Sequence, residues 1–292
     1  EALQTAANVA LTLVLGTLFG LLLASVSSWV RVLLSTGLVL VWAMPVVVVT
    51  DSTAYLPADL VNEHGIAVVP LQVILDGKPF AEGAELSGHD IAEALRHSRV
   101  VSTSRVSPGQ LLAVYADVAA RGATEIVSVH LSAELSGTCD SALLAAAEAT
   151  VPVHVVDSRS LGMALGFAVL EAASAAASGA DGRAAAAAAR RRAERSSTMF
   201  YVDTLEHLRR GGRVTNTHAF IGTALAVKPL LEVADGRIRP LENVRTAGRA
   251  LARLEELSVE RAGSEPVDLA VHHLDSPTRA SVLAERLVAH LP

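Results

Sequence analysis

Five short clusters of hydroxyl, glycine and charged residues stand out from a chain dominated by Ala, Val and Leu. They are Thr50-Asp51-Ser52-Thr53; Ser102-Thr103-Ser104-Arg105-Val106-Ser107-Pro108-Gly109; Leu135-Ser136-Gly137-Thr138 with Ser141; Asp157-Ser158 with Gly162-Met163 and Gly166; and Val202-Asp203-Thr204-Leu205-Glu206 running on through Leu208 to Gly211-Gly212-Arg213-Val214. Taken singly, these residues are ordinary caps and turns. Ser, Thr and Asp are favoured helix N-caps, and Ser-Pro-Gly is common turn chemistry. Their recurrence after successive apolar runs points further. A hydroxyl beside the free N–H groups of a helix N-terminus suits an anionic head group, and several together would make one polar mouth on an aliphatic interior. Ser136 with a histidine and an aspartate could alternatively form a hydrolase triad, but no G-x-S-x-G elbow surrounds it. The chain also has no Walker G-x-x-x-x-G-K-[ST] loop and no kinase signature set, so nucleotide chemistry is not expected within it.

From residue 45 the elements that must hold these clusters read as regular α/β. A β-branched run at 46–49 leads into the first cluster as a buried parallel strand would. A short helix is expected over 57–64, closed by Gly65, then one extended segment over 66–74 with Asp76-Gly77 as its turn. Helices are expected over 87–97, 108–121 and 141–150, and strands over 125–129 and 153–156. Such alternation predicts a parallel sheet with covering helices, whose ligand groups gather at the carboxyl ends of the strands. The alanine-rich stretch 172–192 reads as a surface helix with a solvated basic end, Arg190-Arg191-Arg192.

The first 44 residues differ in kind. No charge occurs from Ala2 to Val30, and residues 9–30 are apolar enough to enter a bilayer. Arg31 interrupts, and 32–44 is apolar again. A signal peptide fits poorly, because there is no basic leader and the apolar run is too long. The segment weakly resembles part of a sugar-type ABC transporter permease, in its Ser27-Ser28-Trp29-Val30-Arg31 break and Val41-Trp42-Ala43-Met44-Pro45 end. It reads as a possible transmembrane segment or fusion remnant, and membrane contact is expected only through it.

Composition narrows the function classes. A net charge of −6 gives no electrostatic case for nucleic acid. Apolar residues make up 51% and aromatics 3%, so any cavity would have aliphatic walls. The single cysteine, Cys139, excludes an intramolecular disulfide and fits a reducing compartment. Ten scattered histidines show neither HExxH nor CxxC spacing, so neither a metal nor a cofactor is expected.

In their order, the motifs TDST, TSxxSPG, LSGT, DS with its glycines, and VDTLExLxxGGRV resemble the DegV family, which includes the fatty-acid-binding subunits of bacterial fatty-acid kinase. The resemblance runs from about Met44 through Asp275. It implies a two-domain α/β fold with parallel-rich sheets and a lipid pocket between lobes, divided here at 45–160 and 161–292, and a cytoplasmic protein over 45–292. The function implied is non-enzymatic: one long-chain fatty acid is bound by its carboxylate and presented to a separate ATP-dependent kinase subunit. Carried over by motif, Thr103, Ser104, Ser136 and Gly137 would hold the carboxylate, with His273 or its neighbour His272 reaching the head group. Arg213 and Arg245 would stand at the pocket mouth, near the kinase or the acyl-phosphate product. Asp51, Ser52, Thr53, Asp157 and Ser158 would support the site, and Lys228-Pro229 is architectural. Family members continue past the helix expected at 277–291 with a glycine-containing segment and a final strand, so the second domain is expected to be truncated.

Overall fold

The run of four valines after Pro45 forms the central strand of a parallel sheet. Strand β1 (Val46–Asp51) lies between β2 (Ala67–Val69) and β6 (Glu125–His130), and β7 (Val153–Asp157) flanks β6, giving the order β2-β1-β6-β7. In this computed structural model, residues 45–97, 99–214 and 227–291 are described. The expectations for residues 1–44, including membrane insertion of 9–30, lie outside them. No helix among the described residues is long and apolar enough to cross a membrane.

Period-two alternation sends successive side chains of these strands to opposite faces, and helices cover both. On one face Val48, Val127, Val129 and Val156 meet α5 (Met163–Ala177) and α6 (Gly182–Glu194). On the other, Val49 and Ile126 meet α3 (Pro108–Ala120) and α4 (Thr138–Glu148). Burial on both faces explains why the strands are nearly pure valine and isoleucine. Helix α3 begins with a capping box between Ser107 and Gln110, with Pro108 in its first turn.

Two smaller antiparallel sheets complete the fold. One has the order β4-β3-β5, built from β3 (Gln72–Leu75), β4 (Lys78–Ala81) and β5 (Val101–Ser104). Asp76 and Gly77 make the β3–β4 turn at φ 49° and 81°, as a two-residue hairpin requires. Helix α2 (Gly88–Arg96) follows, with a Ser87–Asp90 capping box. The other sheet has the order β10-β9-β8, from β8 (Thr198–Tyr201), β9 (Lys228–Ala234) and β10 (Arg237–Val244), and is covered by α8 (Ala247–Ala262). The remaining helices are α1 (Ala58–Glu63), α7 (Glu206–Arg210) and α9 (Pro277–His290).

The mixed α/β class with a parallel-rich central sheet is as expected; four details are not. The extended segment 66–74 is two strands in different sheets, because Pro70 supplies no N–H to continue a ladder. Helix α4 starts at Thr138 rather than Ser141. The alanine-rich stretch is not one surface helix: Gly179 (φ 89°) separates α5 from α6, and Ala172, Ala173, Ala185, Ala186 and Ala189 are buried against the parallel sheet. Both helices therefore pack with residues 45–160 and not with the later sheet, which is antiparallel.

Candidate functional site

The loop after β6, residues 131–137, is where the five sequence clusters meet. Asp51, at the carboxyl end of β1, accepts the N–H of Leu131 at 3.1 Å through Oδ2, and the N–H of Thr53 at 3.1 Å through Oδ1. The same Oδ2 lies 2.9 Å from Nδ1 of His130, whose Nε2 lies 2.7 Å from Ser128 Oγ; Ser128 in turn lies 2.8 Å from the Tyr115 hydroxyl. Asp51, Ser128 and His130 are wholly buried. Burial pushes the Tyr115 hydroxyl up to about 12.

Asp157 and Ser158 brace the loop from the β7 side. Asp157 Oδ1 accepts the N–H of Ala133 at 3.3 Å and of Arg159 at 2.7 Å, and Ser132 N–H donates to Ser160 O at 2.9 Å. Gly162 (φ 65°) donates its N–H to Thr53 O at 2.8 Å, tying the fourth cluster to the first. From the other sheet, the Asp235-Gly236 turn docks on the loop: Ser132 Oγ donates to Gly236 O at 2.7 Å, and Arg237 pairs with Glu134 at 2.7 Å.

At the loop's far end Ser136 is half-buried, its hydroxyl 2.9 Å from Thr138 Oγ1. Gly137 caps α4 without a side-chain acceptor, so the first amides of that helix lack a cap from it. Two guanidinium groups flank this turn. A Cβ built on Gly137 would lie 2.8 Å from Arg105 Nη1, and Arg213 Nε donates to Leu135 O at 3.3 Å. Arg105 immediately follows Ser104, and Thr103 sits opposite Val73 on β5. Bare helix amides with two cations beside a hydroxyl form a surface for one carboxylate.

Two cavities lie further on, each lined by apolar side chains together with charged ones. The larger, about 640 Å3, is walled by residues such as Leu95, Leu208, Leu251, Leu254, Leu283 and Leu287. The smaller is about 440 Å3 and includes Leu161, Met163, Phe167 and Arg192 in its wall. Both fall within the range of about 300–1,000 Å3 usual for small-molecule sites. His273 lines the larger cavity, with Nδ1 accepting the N–H of Ser276 at 3.2 Å, and His272 lines both. Asp203, also on the larger cavity, is held below the usual carboxylate range by the Tyr201 hydroxyl and then Lys228 Nζ, which is 2.9 Å away. Leu208 and Leu135 pack into one apolar cluster with Leu231 and Ile238, which links the cavity wall to the residue before Ser136.

The structure thus brings Arg105 and Arg213 to the Ser136-Gly137 turn and ties Asp51 and Asp157 to the same loop, whereas Thr103 and Ser104 are exposed and make no contact with Ser136 described here. Thr103, Ser136, Arg213 and Arg245 do not line either cavity described here, and the histidines do not share a hydrogen bond with Ser136. Arg245 is exposed between β10 and α8. Residues 269–273, which carry the histidine pair, form no strand. Ser136 has a threonine partner rather than an imidazole; the Ser–His–Asp series that does occur, Ser128–His130–Asp51, has no exposed member. No motif in the sequence marks Ser128 and His130, although their i, i+2 spacing puts both on one face of β6. Arg105 lies within the second polar motif. Cys139 is buried and desolvation raises its pKa, as for an inert thiol. Among the described residues no cluster of His, Cys, Asp or Glu could hold a metal ion.

Residues 45–292 match the profile of a protein family described as "uncharacterised protein, DegV family". A DegV domain-containing protein of Streptomyces coelicolor is 54% identical over 247 residues, which is 85% of this chain and 88% of that protein. Among solved structures, DegV of Bacillus subtilis, described as a fatty acid binding protein, is 34% identical with a TM-score of 0.77, over 84% of this chain and 88% of that one. A DegV family protein of Thermus thermophilus, described by its fatty acid binding, is 35% identical with a TM-score of 0.69, over 75% and 78% of the two chains.

Proposed function

This chain belongs to the DegV family, and on that premise we propose that it binds one long-chain fatty acid by its carboxylate and presents it to a separate ATP-dependent fatty-acid kinase for acyl-phosphate formation. The observation that carries the reading is the convergence of Arg105 and Arg213 on the bare N-terminus of α4 beside Ser136, with a cavity on the other side of the apolar cluster that contains Leu135 and Leu208. Two DegV relatives more than 30% identical are described as fatty acid binders.

Burying an unpaired carboxylate is prohibitive. In this reading the Thr103, Ser104 and Ser136 hydroxyls and the Gly137 turn satisfy its lone pairs, the guanidinium groups balance its charge, and His273 approaches from the larger cavity that it lines. The tail supplies affinity: at about 0.8 kcal/mol per buried methylene, a sixteen-carbon chain gains roughly 10 kcal/mol before ordering costs. Arg213 and Arg245 then face the kinase or the acyl-phosphate product, and the kinase makes the new bond.

The test is native mass spectrometry of the full chain purified from lipid-replete cells. A co-purifying long-chain fatty acid of about 16–18 carbons is expected, its affinity supplied by the buried tail. Consistent recovery of empty protein overturns the reading.

A further inference from the structure

The two cavities share one wall. Met199, Phe200, Ser258, Leu269, Ala270 and His272 line both. Of these His272 alone carries a ring that a second ring supports: Tyr55, which lines only the smaller cavity, packs on it with centroids 5.8 Å apart and planes tilted by 54°.

Tyr55 is itself held firmly. Its backbone is left-handed, at φ 48°, a conformation that a bulky residue keeps only when its surroundings impose it. Its N–H donates to Ser52 O at 3.1 Å, and its hydroxyl donates to Glu82 Oε1 at 2.8 Å. Glu82 is fixed in turn by Ser52 Oγ at 2.6 Å, and Ser52 Oγ accepts the N–H of Leu71 at 3.0 Å. The wall is therefore anchored to the first polar loop of the parallel sheet. His272, by contrast, sits in a stretch that no strand pairs. His272 is exposed and Tyr55 is 51% exposed; desolvation, and then His273, lower the basicity of the imidazole. A neutral imidazole is a tolerable wall for a hydrocarbon chain.

We propose that the His272–Tyr55 pair is the partition between the two cavities and sets the length of acyl chain the protein accepts. The inference rests on the fatty-acid reading and deepens it. With the partition closed, the chain end stops in the larger cavity; with it removed, additional methylenes enter the smaller one, against Met163 and Phe167. Each methylene newly buried is worth about fourfold in affinity.

The experiment offers the full chain an equimolar mixture of saturated sixteen- and twenty-carbon fatty acids and reads the bound ratio by native mass spectrometry. For His272→Ala the ratio of twenty- to sixteen-carbon acid should rise at least about tenfold over wild type, since up to four methylenes gain a compartment. His272→Phe, which restores a ring, should keep the wild-type ratio. Tyr55→Ala, which withdraws the support, should shift it in the same direction as His272→Ala and covers the case in which that variant fails to fold. An unchanged ratio in loaded His272→Ala or Tyr55→Ala protein, or an equal shift in His272→Phe, overturns the partition alone. Wild-type protein that takes up neither acid overturns the fatty-acid reading and this inference with it.

Discussion

Asp51 Oδ2 and His130 Nδ1 lie 2.9 Å apart with both side chains wholly buried, joining the carboxyl ends of two adjacent parallel strands. The pair does not face a cavity. Its structural effect is to hold Asp51 where its two oxygens collect the amides of Leu131 and Thr53, and so to fix both polar loops at once. Removing one partner strands the other. His130→Ala should destabilise the protein by about 3–5 kcal/mol. Urea unfolding measures this, and a loss under about 1 kcal/mol, the worth of an exposed pair, would contradict it.

Thr103→Ala and Ser136→Ala should each weaken fatty-acid binding by about 1–3 kcal/mol, because each leaves the carboxylate short of a donor. Isothermal titration with palmitate on delipidated protein reads the loss. Unchanged affinity in both variants would place the head group elsewhere.

Gly137→Ala separates binding from folding. The added methyl meets the end of the Arg105 side chain, which is flexible and can swing away, so thermal stability should stay near wild type. Displacing that guanidinium from the turn should weaken fatty-acid affinity by roughly tenfold, the worth of one charge-assisted hydrogen bond. Gly166→Ala is the opposite case. Its methyl would lie 2.9 Å from the carbonyl oxygen of Ala54, and backbone cannot swing, so a loss of about 1–3 kcal/mol in stability is expected from overpacking.

His272 gives a pH dependence of known sign. Its folded pKa lies below the ordinary 6.5, so the unfolded chain takes up a proton first as pH falls. The stability contributed by the neutral ring is complete above 6.5 and declines as the pH falls from there towards the folded value. Thermal midpoints measured between about pH 5 and pH 8 should fall more steeply on the acid side for wild type than for His272→Phe. Parallel curves would show that the ring is fully solvated.

Asp275 ties α2 to the cavity wall through His89, at 2.9 Å, and Arg96. Such partly exposed pairs contribute about 0–1 kcal/mol, so Asp275→Ala should barely change global stability. Because Ala92, Leu95 and Arg96 of α2 line the larger cavity, the variant should exchange bound lipid several-fold faster, an effect that stopped-flow displacement of a fluorescent fatty acid would register. Equal exchange rates would release α2 from any role in retention.

What the sequence revealed and what it hid divide along physical lines. The apolar runs at 46–49 and 125–129 and the helical stretches at 87–97 and 108–121 act locally, and each element formed close to where it is expected. Asp76-Gly77 likewise made its hairpin, because positive φ is a property of the turn itself. The break at Pro70 is hidden because 66–74 is apolar on both sides of it, and only pairing partners decide that the halves enter different sheets. The five polar motifs were visible, but their meeting at 131–137 was not, since it depends on contacts such as Asp51 with Leu131 and Arg213 with Leu135, each about 80 residues apart in sequence. His130 has no local signature, being a lone histidine in a strand, and the Asp51 that explains it lies one strand away.

The alanine seam between α5 and α6 bears on how this protein tolerates change. Alanine has no rotamers to freeze on burial, so the seam forms with little loss of side-chain freedom. The same property leaves no slack: a side chain even one methylene larger must lever two helices apart or push on the valine strands beneath them. Substitution to glycine fits the space but loosens both helices by about 1 kcal/mol per site. A stretch that reads as compositional filler is therefore among the parts of the molecule least open to mutational drift.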